Sequence, residues 1–159
     1  MQIRIIAVGK IKEKFLQEGI SEYLMRLRPY AGVQVIEIAE EKRPAAASHA
    51  TESAAVEKEG ERILAVIPKN SHIIILDVNG AGRTSPELAS LFGEWELAAK
   101  NQLAFVIGGD LGLSPAVLSR ADLRLSLSKM TFTHPMARFI LLEQVYRAYR
   151  ILRGEPYHK

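Results

Sequence analysis

Residues 107–115 read Ile-Gly-Gly-Asp-Leu-Gly-Leu-Ser-Pro, and residues 127–135 read Leu-Ser-Lys-Met-Thr-Phe-Thr-His-Pro. The first stretch ends an apolar run in a glycine-rich turn, and its Ser-Pro pair is a helix start signal. The second follows another apolar run, forms a polar loop and reaches a proline that opens a long helix. Because glycine lets a ligand approach the backbone closely, both stretches predict strand–loop–helix units with ligand-binding loops.

The same alternation of strand and helix extends through the rest of the chain. Short runs rich in Ile, Val and Leu are followed by segments whose apolar residues recur at helical spacing. The predicted strands are residues 3–8, 33–38, 73–76, 103–107 and 123–127. The predicted helices are residues 16–27, 51–66, 85–100, a short turn after 114 and 135–153, with a mobile connection over 40–50. The pattern predicts a doubly wound α/β fold, a mostly parallel sheet flanked by helices.

Three predicted loops lie where a parallel sheet binds its ligands, at the carboxyl ends of strands. They follow Leu76, Ile107 and Leu127. They contain Gly80 and Gly82, then Gly108 and Gly109, then residues 128–134. One ligand can contact all three loops if the three strands are neighbours in the sheet, and the sequence leaves that adjacency as an assumption.

Each glycine motif is weak when it is taken alone. Gly108-Gly109 is explained equally well by a turn that needs positive φ. After Gly80 and Gly82, Ser85 stands where the dinucleotide fingerprint has its third glycine, and no Walker lysine motif occurs in the sequence. Sites for NAD and ATP are therefore disfavoured, and so is a nicotinamide or flavin oxidoreductase.

Composition limits the remaining classes. The 159 residues are 48% hydrophobic, which is enough for one ordinary core, so we expect a single domain over 1–159. There is no cysteine, and the four histidines show no ligand-like pairing, so we expect no metal. No apolar run approaches the roughly 18 residues of a membrane span, and residues 2–9 do not fit a secretory signal. These features predict a cytoplasmic protein without membrane contact.

Positive charge is concentrated at the C-terminal end. The net charge is +3, with +4 on residues 129–159 and −1 on the first 128 residues. A basic end suits nucleic-acid phosphates, although an ordinary solvated helix face has a similar composition. A non-enzymatic RNA-binding protein would carry the same basic end, but it would not need an apolar cofactor slot.

Three stretches together resemble a known family: IGGDLGLSP at 107–115, LSLSKMTFTHPMARFILLEQVYRAYRILRG at 125–154, and PYHK at 156–159. They are similar to the ribosomal RNA large subunit methyltransferase H family of the SPOUT (α/β-knot) class, and the likeness extends over essentially the whole chain. The resemblance implies a homodimeric enzyme that uses S-adenosylmethionine to methylate N3 of a pseudouridine in 23S rRNA, in a hairpin at the subunit interface of the ribosome. It also implies a C-terminal trefoil knot, which periodicity does not indicate.

The resemblance also assigns cofactor-binding positions. They are Leu76, Gly108, Gly109, Leu127, Ser128, Lys129, Met130, Thr131 and Phe132. The chemistry is compatible, because adenine favours an apolar slot and the glycine turn admits the methionine part of the cofactor. For Met130 and Phe132 the alternative is ordinary core packing.

Methylation of N3 requires that its proton be removed, or that the pocket favour the deprotonated ring. The candidate catalytic residues are His134, Arg138, Tyr157 and His158. For His134 the alternative is capping of the last helix, by its own side chain or by that of Thr133. Arg138 opposes the helix dipole in the first turn, so a phosphate or a base is its expected partner.

The last helix and the tail carry the expectations about partners. Leu141, Val145, Ala148 and Leu152 share one side of the helix, which packs on either the core or a partner helix. We expect a partner helix, because in a homodimer the tail of one subunit can complete the site of the other. A loose basic stripe is formed by Arg147, Arg150 and Arg153.

Residues 157–159 would ordinarily be a frayed terminus. Given the resemblance, we expect Tyr157 to stack on an RNA base, and His158 and Lys159 to donate to a phosphate or to the target base. In the glycine turn, we expect Asp110 to face solvent or to pair with an arginine.

Overall fold

Five parallel strands form a single sheet in the order β2-β1-β4-β3-β5. The computed structural model describes residues 1–44 and 46–157. The strands are β1 (Gln2–Val8), β2 (Gly32–Ile38), β3 (His72–Gly82), β4 (Gln102–Ile107) and β5 (Leu123–Ser126). The predicted parallel α/β fold is confirmed. The three strands whose loops were expected to share a ligand, β4, β3 and β5, are neighbours, so the assumption of adjacency is also confirmed.

The two central strands are apolar on both faces. In β1, Ile5 pairs with Val35 of β2 and with Phe105 of β4. Ile5 faces one hydrophobic cluster and the next residue, Ile6, faces the other. Since successive side chains of a strand point to opposite faces, a strand covered on both sides is a continuous apolar run.

Helices cover both faces of this sheet. They are α1 (Lys14–Leu27), α2 (His49–Val66), α3 (Ser85–Leu97), α4 (Pro115–Leu118) and α5 (His134–Leu152). On one face α5 packs between α1 and α3, while α2 and α4 pack on the other. None of the helices among the described residues has the length and apolar character needed to span a membrane.

Local signals place the helix starts. Ser48 and Ser114 cap α2 and α4, since each hydroxyl accepts from a backbone N–H three residues on. The predicted start of α3 at residue 85 is confirmed. Thr84 is the cap, and Glu87 completes a capping box by accepting from the Thr84 backbone. The predicted start of α2 at residue 51 is two residues late, because the helix begins at His49.

Strand β3 is longer than predicted and contains an excursion. Both Leu76 and Ala81 pair with Leu125 of β5, so residues 77–80 leave the ladder and return to it. A Cβ on Gly80 would lie 2.7 Å from the backbone oxygen of Arg124, so the returning segment passes β5 too closely for a side chain. The prediction of a strand ending at Leu76 followed by a turn missed this return.

The apolar side of α5 is part of the core of its own chain. Leu141, Val145 and Ala148 are buried against the helices and strands of this chain. For these three residues the expectation of a partner helix is wrong and its alternative, core packing, is correct. Leu152, the fourth residue of the predicted side, is 40% exposed at the end of α5, so its expected contact stays a prediction. The threading of the chain into a knot stays a prediction.

Candidate active site

The excursion of β3 and the loops after β4 and β5 meet around a cavity of about 1040 Å³. Its walls also include residues from the loop after β1 and the start of α5. Eight of the nine predicted cofactor-binding residues line it: Leu76, Gly108, Gly109, Leu127, Ser128, Met130, Thr131 and Phe132. Lys129 does not line the cavity, and its side chain is exposed. The structure thus gathers three segments that are far apart in sequence.

The glycine turn needs its glycines for space. A Cβ on Gly108 would lie 2.7 Å from the backbone oxygen of Gly112, closer than real Cβ atoms approach. Gly109 and Gly112 form an isolated antiparallel bridge that closes the turn. Positive φ occurs at Gly112, at +83°, and not at Gly108 or Gly109. The prediction of a turn is correct, but the explanation of the Gly108-Gly109 pair by positive φ is wrong.

The loop after β5 is held by its serines. Ser126 donates its hydroxyl to the carbonyl of Ser128 at 2.9 Å, and the Ser128 hydroxyl accepts from the backbone N–H of Met130 at 2.9 Å. These bonds give the polar loop a defined path along the cavity. Met130 is 70% exposed at the cavity wall, which rules out core packing for it, while Phe132 is half-buried there.

The excursion in β3 is fixed by an ion pair that the sequence analysis did not find. Asp77, on the cavity wall, accepts from the Arg124 guanidinium and from the backbone N–H of Asn79. The Asn79 bond, with help from Arg124, lowers the pKa of the Asp77 carboxyl below its ordinary value, against the effect of burial. An Asp-x-Asn turn after a buried strand was the available signal, since Asp side chains commonly accept from the backbone two residues on.

His134 lies at the wall of the cavity, at the first residue of α5, and is 22% exposed. Its Nδ1 is 3.3 Å from Oδ1 of Asp110, and its Nε2 lies beside Gly9, where a Cβ would be 3.1 Å away. Thr133 is the N-cap residue of α5, but no side chain makes a capping hydrogen bond. Capping therefore does not explain His134. Asp110 is exposed and also faces Arg43 at 3.8 Å, so its predicted arginine partner is confirmed.

Arg138 is behind the cavity wall and is 0% exposed. Its guanidinium donates to Glu37 at 3.0 Å and to the carbonyls of Val8 and Gly9 at 3.2 and 3.1 Å. Burial lowers its pKa from the ordinary value, and Glu37 opposes that shift. The expected phosphate or base is replaced by Glu37 and two strand-end carbonyls, which corrects the prediction for this side chain.

Tyr157 packs beside the middle of α5 and against α1, and it is not among the residues that line the cavity. Its hydroxyl is 3.1 Å from Tyr23 and donates to Glu143 at 3.1 Å, and its ring packs edge-on against Tyr146. Burial, followed by the bond to Tyr23, raises the pKa of this phenol. Within one chain Tyr157 therefore does not reach the cavity. His158 and Lys159 lie outside the described residues, so their predicted roles stay predictions.

The predicted basic stripe is engaged within the chain. Arg147 pairs with Glu143 and Arg150 with Glu155. The Arg153 guanidinium lies 4.6 Å from the centre of the Tyr30 ring. The lysines that line the cavity come instead from the loop after β1, at Lys10 and Lys12.

A metal centre has no support in residues 1–44 and 46–157, because no group of three His, Asp or Glu side chains there is placed to hold an ion. The cavity combines apolar side chains, glycine backbone and a few polar groups. It lies at the carboxyl ends of three adjacent parallel strands, which is where open α/β sheets bind nucleotide-like ligands. Fold and site together define an α/β protein with a candidate ligand cavity at the carboxyl edge of its parallel sheet.

Comparison with known proteins narrows that class. Residues 1–158 match the family model described as "Predicted SPOUT methyltransferase". The chain therefore belongs to the SPOUT methyltransferase family.

Full-length relatives support the same assignment. A protein of Methanoregula boonei is 60% identical over 159 residues, covering 100% of both chains. Relatives named "Ribosomal RNA large subunit methyltransferase H" are 54% identical in Carboxydothermus hydrogenoformans and 51% in Bacillus pumilus, again over 100% of both chains. The predicted family is confirmed.

Solved structures agree at the level of fold. A probable methylase family protein from Haemophilus influenzae has a TM-score of 0.53 at 15% identity, with 99% of this chain and 70% of that chain covered. A structure described as "the putative methyltransferase Lpg2936 from Legionella pneumophila in complex with the bound cofactor SAM" has a TM-score of 0.50 at 13% identity, over 94% of this chain and 66% of that one. At this identity the likeness shows the fold alone.

Proposed function

We propose that this protein transfers the methyl group of S-adenosylmethionine to N3 of a pseudouridine in 23S rRNA, on the assembled ribosome. The observation that carries the proposal is the single cavity built from the three loops that the family resemblance assigned to the cofactor. The names of the full-length relatives support an rRNA substrate of the large ribosomal subunit. Such a substrate places the reaction in the cytoplasm.

The residues present fit this cofactor. Ligand pockets of about 300–1,000 Å³ hold molecules of this size, and the cavity, at about 1040 Å³, is slightly larger than that range. Leu76, Leu127 and Met130 offer apolar surface for adenine. The glycine turn at Gly108 leaves its backbone open to the amino-acid part, and Thr131 offers a hydroxyl.

When bound between the excursion of β3, the glycine turn and the loop after β5, the cofactor would supply an electrophilic methyl group to N3. The protein has to hold the base in line and accept the N3 proton. His134 is the described residue best placed for that, because it lines the cavity and has no capping role. Arg138 does not contact the base in this proposal. Its hydrogen bonds hold the ends of β1 and β2, and His134 lies beside them.

The mouth of the cavity offers charge for rRNA phosphates. Lys10 and Lys12 line it, and Lys42 and Lys129 lie exposed in the neighbouring loops at the same edge of the sheet. Lysine–phosphate contacts release counterions, so affinity falls as salt rises. Because the net charge of the chain is only +3, phosphate contacts supply only part of the affinity. We assign the rest to the shape of the ribosome.

A homodimer completes the proposal. Tyr157 is held against α1 and α5 of its own chain and not at its own cavity. We propose that the tail ending in residues 157–159 reaches the cavity of a second subunit, where His158 and Lys159 contact the target nucleotide.

The decisive experiment is methylation of ribosomes from a strain that lacks this enzyme, with tritiated S-adenosylmethionine and nuclease mapping of the label. We expect label on one pseudouridine of 23S rRNA and none on free 23S rRNA. Ribosomes from a strain that also lacks the pseudouridine synthase for that position are the matched control. Calorimetry that detects no binding of the cofactor would instead favour an RNA-binding protein without catalysis.

A further inference from the structure

A carboxylate of the glycine turn is positioned to orient the cavity histidine. Oδ1 of Asp110 lies 3.3 Å from Nδ1 of His134, while Oδ2 lies 3.8 Å from the guanidinium of Arg43. The two oxygens thus face different partners, one on α5 and one on the connection between β2 and α2. Asp110 is 60% exposed, yet Arg43 and His134 are each largely buried.

The other side of the imidazole is fixed by the backbone after β1. Gly9 has a φ of +84°, and a Cβ there would come within 3.1 Å of Nε2 of His134. Gly9 is in turn held by the guanidinium of Arg138, which donates to its carbonyl at 3.1 Å. The ring therefore lies between a glycine that leaves room for it and a carboxylate at Nδ1.

We propose that Asp110 is a positioning residue for His134. The carboxylate, 3.3 Å from Nδ1, favours the neutral tautomer that carries its proton on Nδ1 and its lone pair on Nε2, on the side of the ring where Gly9 leaves room. This inference rests on the proposed function, in which His134 accepts the N3 proton. The proton moves from N3 to Nε2, and the electron pair left on N3 forms the new bond to the methyl carbon while the carbon–sulfur bond of the donor breaks with its pair going to sulfur. The imidazolium then faces Asp110 until it loses its extra proton to water.

A purely structural role is the competing explanation. An acidic side chain near the start of α5 also stabilises the positive end of the helix dipole. That role depends on charge and not on which ring nitrogen carries the proton. The tautomer of His134 and the separation of kcat from KM therefore distinguish the two roles.

Asp110→Asn gives a directional test because Arg43 offers only donors. The amide oxygen turns to Arg43, and the amide NH₂ then points at Nδ1 of His134. We expect this variant to force the proton onto Nε2, the wrong nitrogen for a proton acceptor. The expected result is a fall in kcat of about ten-fold or more, with KM for S-adenosylmethionine changed by less than about two-fold.

The chain contains a matched control at the opposite edge of the sheet. Asp122 lies 3.4 Å from Nδ1 of His72 and is 47% exposed, a separation close to that of the Asp110–His134 pair, although Asp122 also accepts from the backbone N–H of Ile73 and Lys100 faces the same ring nitrogen. His72 begins β3, so this pair lies at the amino ends of the strands, away from the cavity. Asp122→Asn should leave kcat and KM at wild-type values.

Two measurements decide the matter. Nitrogen-15 nuclear magnetic resonance of the histidine rings, assigned by the signal lost in His134→Gln, should show Nδ1–H in the wild type and Nε2–H in Asp110→Asn. This measurement needs no methylation, so it tests the orienting role even if the proposed function fails on ribosomes. Wild-type kcat in Asp110→Asn, or a lower melting temperature with unchanged kcat, would overturn the proposal.

Discussion

Two glycines near the cavity differ in how much space surrounds their missing side chain. Gly108 has an ordinary φ, so its value lies in the contact that its missing Cβ allows with Gly112. Gly82 also lacks a Cβ, but no atom lies within 4 Å of the position that one would occupy. Two glycines that look alike in the sequence therefore differ in their tolerance of alanine.

Gly108→Ala should weaken binding of S-adenosylmethionine by at least about ten-fold and lower the free energy of unfolding by about 1–3 kcal/mol. The methyl group meets backbone atoms of Gly112, which move only if the turn opens. Isothermal titration calorimetry and urea unfolding measure the two effects. Gly82→Ala is the matched control and should bind the cofactor within about two-fold of wild type; equal affinities for both variants would contradict this account of the turn.

The role of Arg138 is decided by the groups that surround its buried guanidinium. The sequence placed a cation at the start of a helix, and the structure supplies Glu37 and two carbonyls as its partners. Arg138→Ala should lower the free energy of unfolding by about 3 kcal/mol, because buried acceptors lose their donor. Arg153→Ala, which removes an exposed guanidinium over the Tyr30 ring, should cost less than about 1 kcal/mol. Similar losses for the two variants in urea unfolding would refute this.

At the scale of elements, most strands and helices follow from periodicity and start signals. The apolar runs of β1 and β4 and the Ser114-Pro115 start of α4 needed no tertiary information. The excursion after Leu76 could not be predicted, because it depends on close passage to β5, a strand about 40 residues later in the chain. The partners of α5 were also missed, since an apolar stripe fits a core and a partner helix equally well.

Three tyrosines around the C-terminal half of α5 should make the free energy of unfolding fall at alkaline pH. The bond to Glu155 raises the pKa of Tyr30 above its ordinary 10.0, and burial raises the pKa values of Tyr149 and Tyr157. The folded state therefore keeps phenolic protons that the unfolded chain loses. This stabilisation is fully present below pH 10 and is lost as pH rises through the raised pKa values, by up to about 1.4 kcal/mol per pH unit for each group.

Tyr157→Phe tests this dependence. The variant keeps the ring contact with Tyr146 but loses the hydroxyl contacts with Tyr23 and Glu143, which should cost about 1 kcal/mol at neutral pH. Since phenylalanine does not titrate, the loss of stability above about pH 10 should be shallower than in wild type. Urea unfolding across that range gives both values, and parallel curves for the two proteins would show that Tyr157 does not contribute.

For the whole molecule, the sequence predicted the class of fold and the edge of the sheet where the cavity lies. Eight of nine assigned cofactor residues line one cavity, because consecutive loops at one sheet edge converge regardless of the intervening sequence. The tail could not be placed in the same way. Its Tyr157 is fixed by Glu143 and Tyr23, and the expected contact with a target base needs a second subunit.

Mixed dimers test that arrangement. His134→Gln and a chain lacking residues 157–159 should each be inactive on ribosomes, and the truncated chain should still bind S-adenosylmethionine. When the two chains are refolded together in equal amounts, half of the dimers contain one chain of each kind. Each of these mixed dimers has one complete site where a wild-type dimer has two, so about a quarter of wild-type activity should return. The control mixes His134→Gln with a chain that carries both changes, His134→Gln and the loss of residues 157–159; this mixture contains no intact His134 and should stay inactive. Recovery of no activity, or a monomer in light scattering that still methylates, would exclude shared sites.

The position of β4 has a consequence for synthesis of the chain. It lies between β1 and β3 and hydrogen-bonds to both, although roughly two thirds of the chain is made before it. A polypeptide interrupted before Gln102 has no strand to join β1 to β3, and the edges of β1 at Ile5 and of β3 at Ile74 that face β4 are left unpaired. Truncated products of this gene should therefore be cleared by proteases during translation and should not accumulate as partly working enzymes.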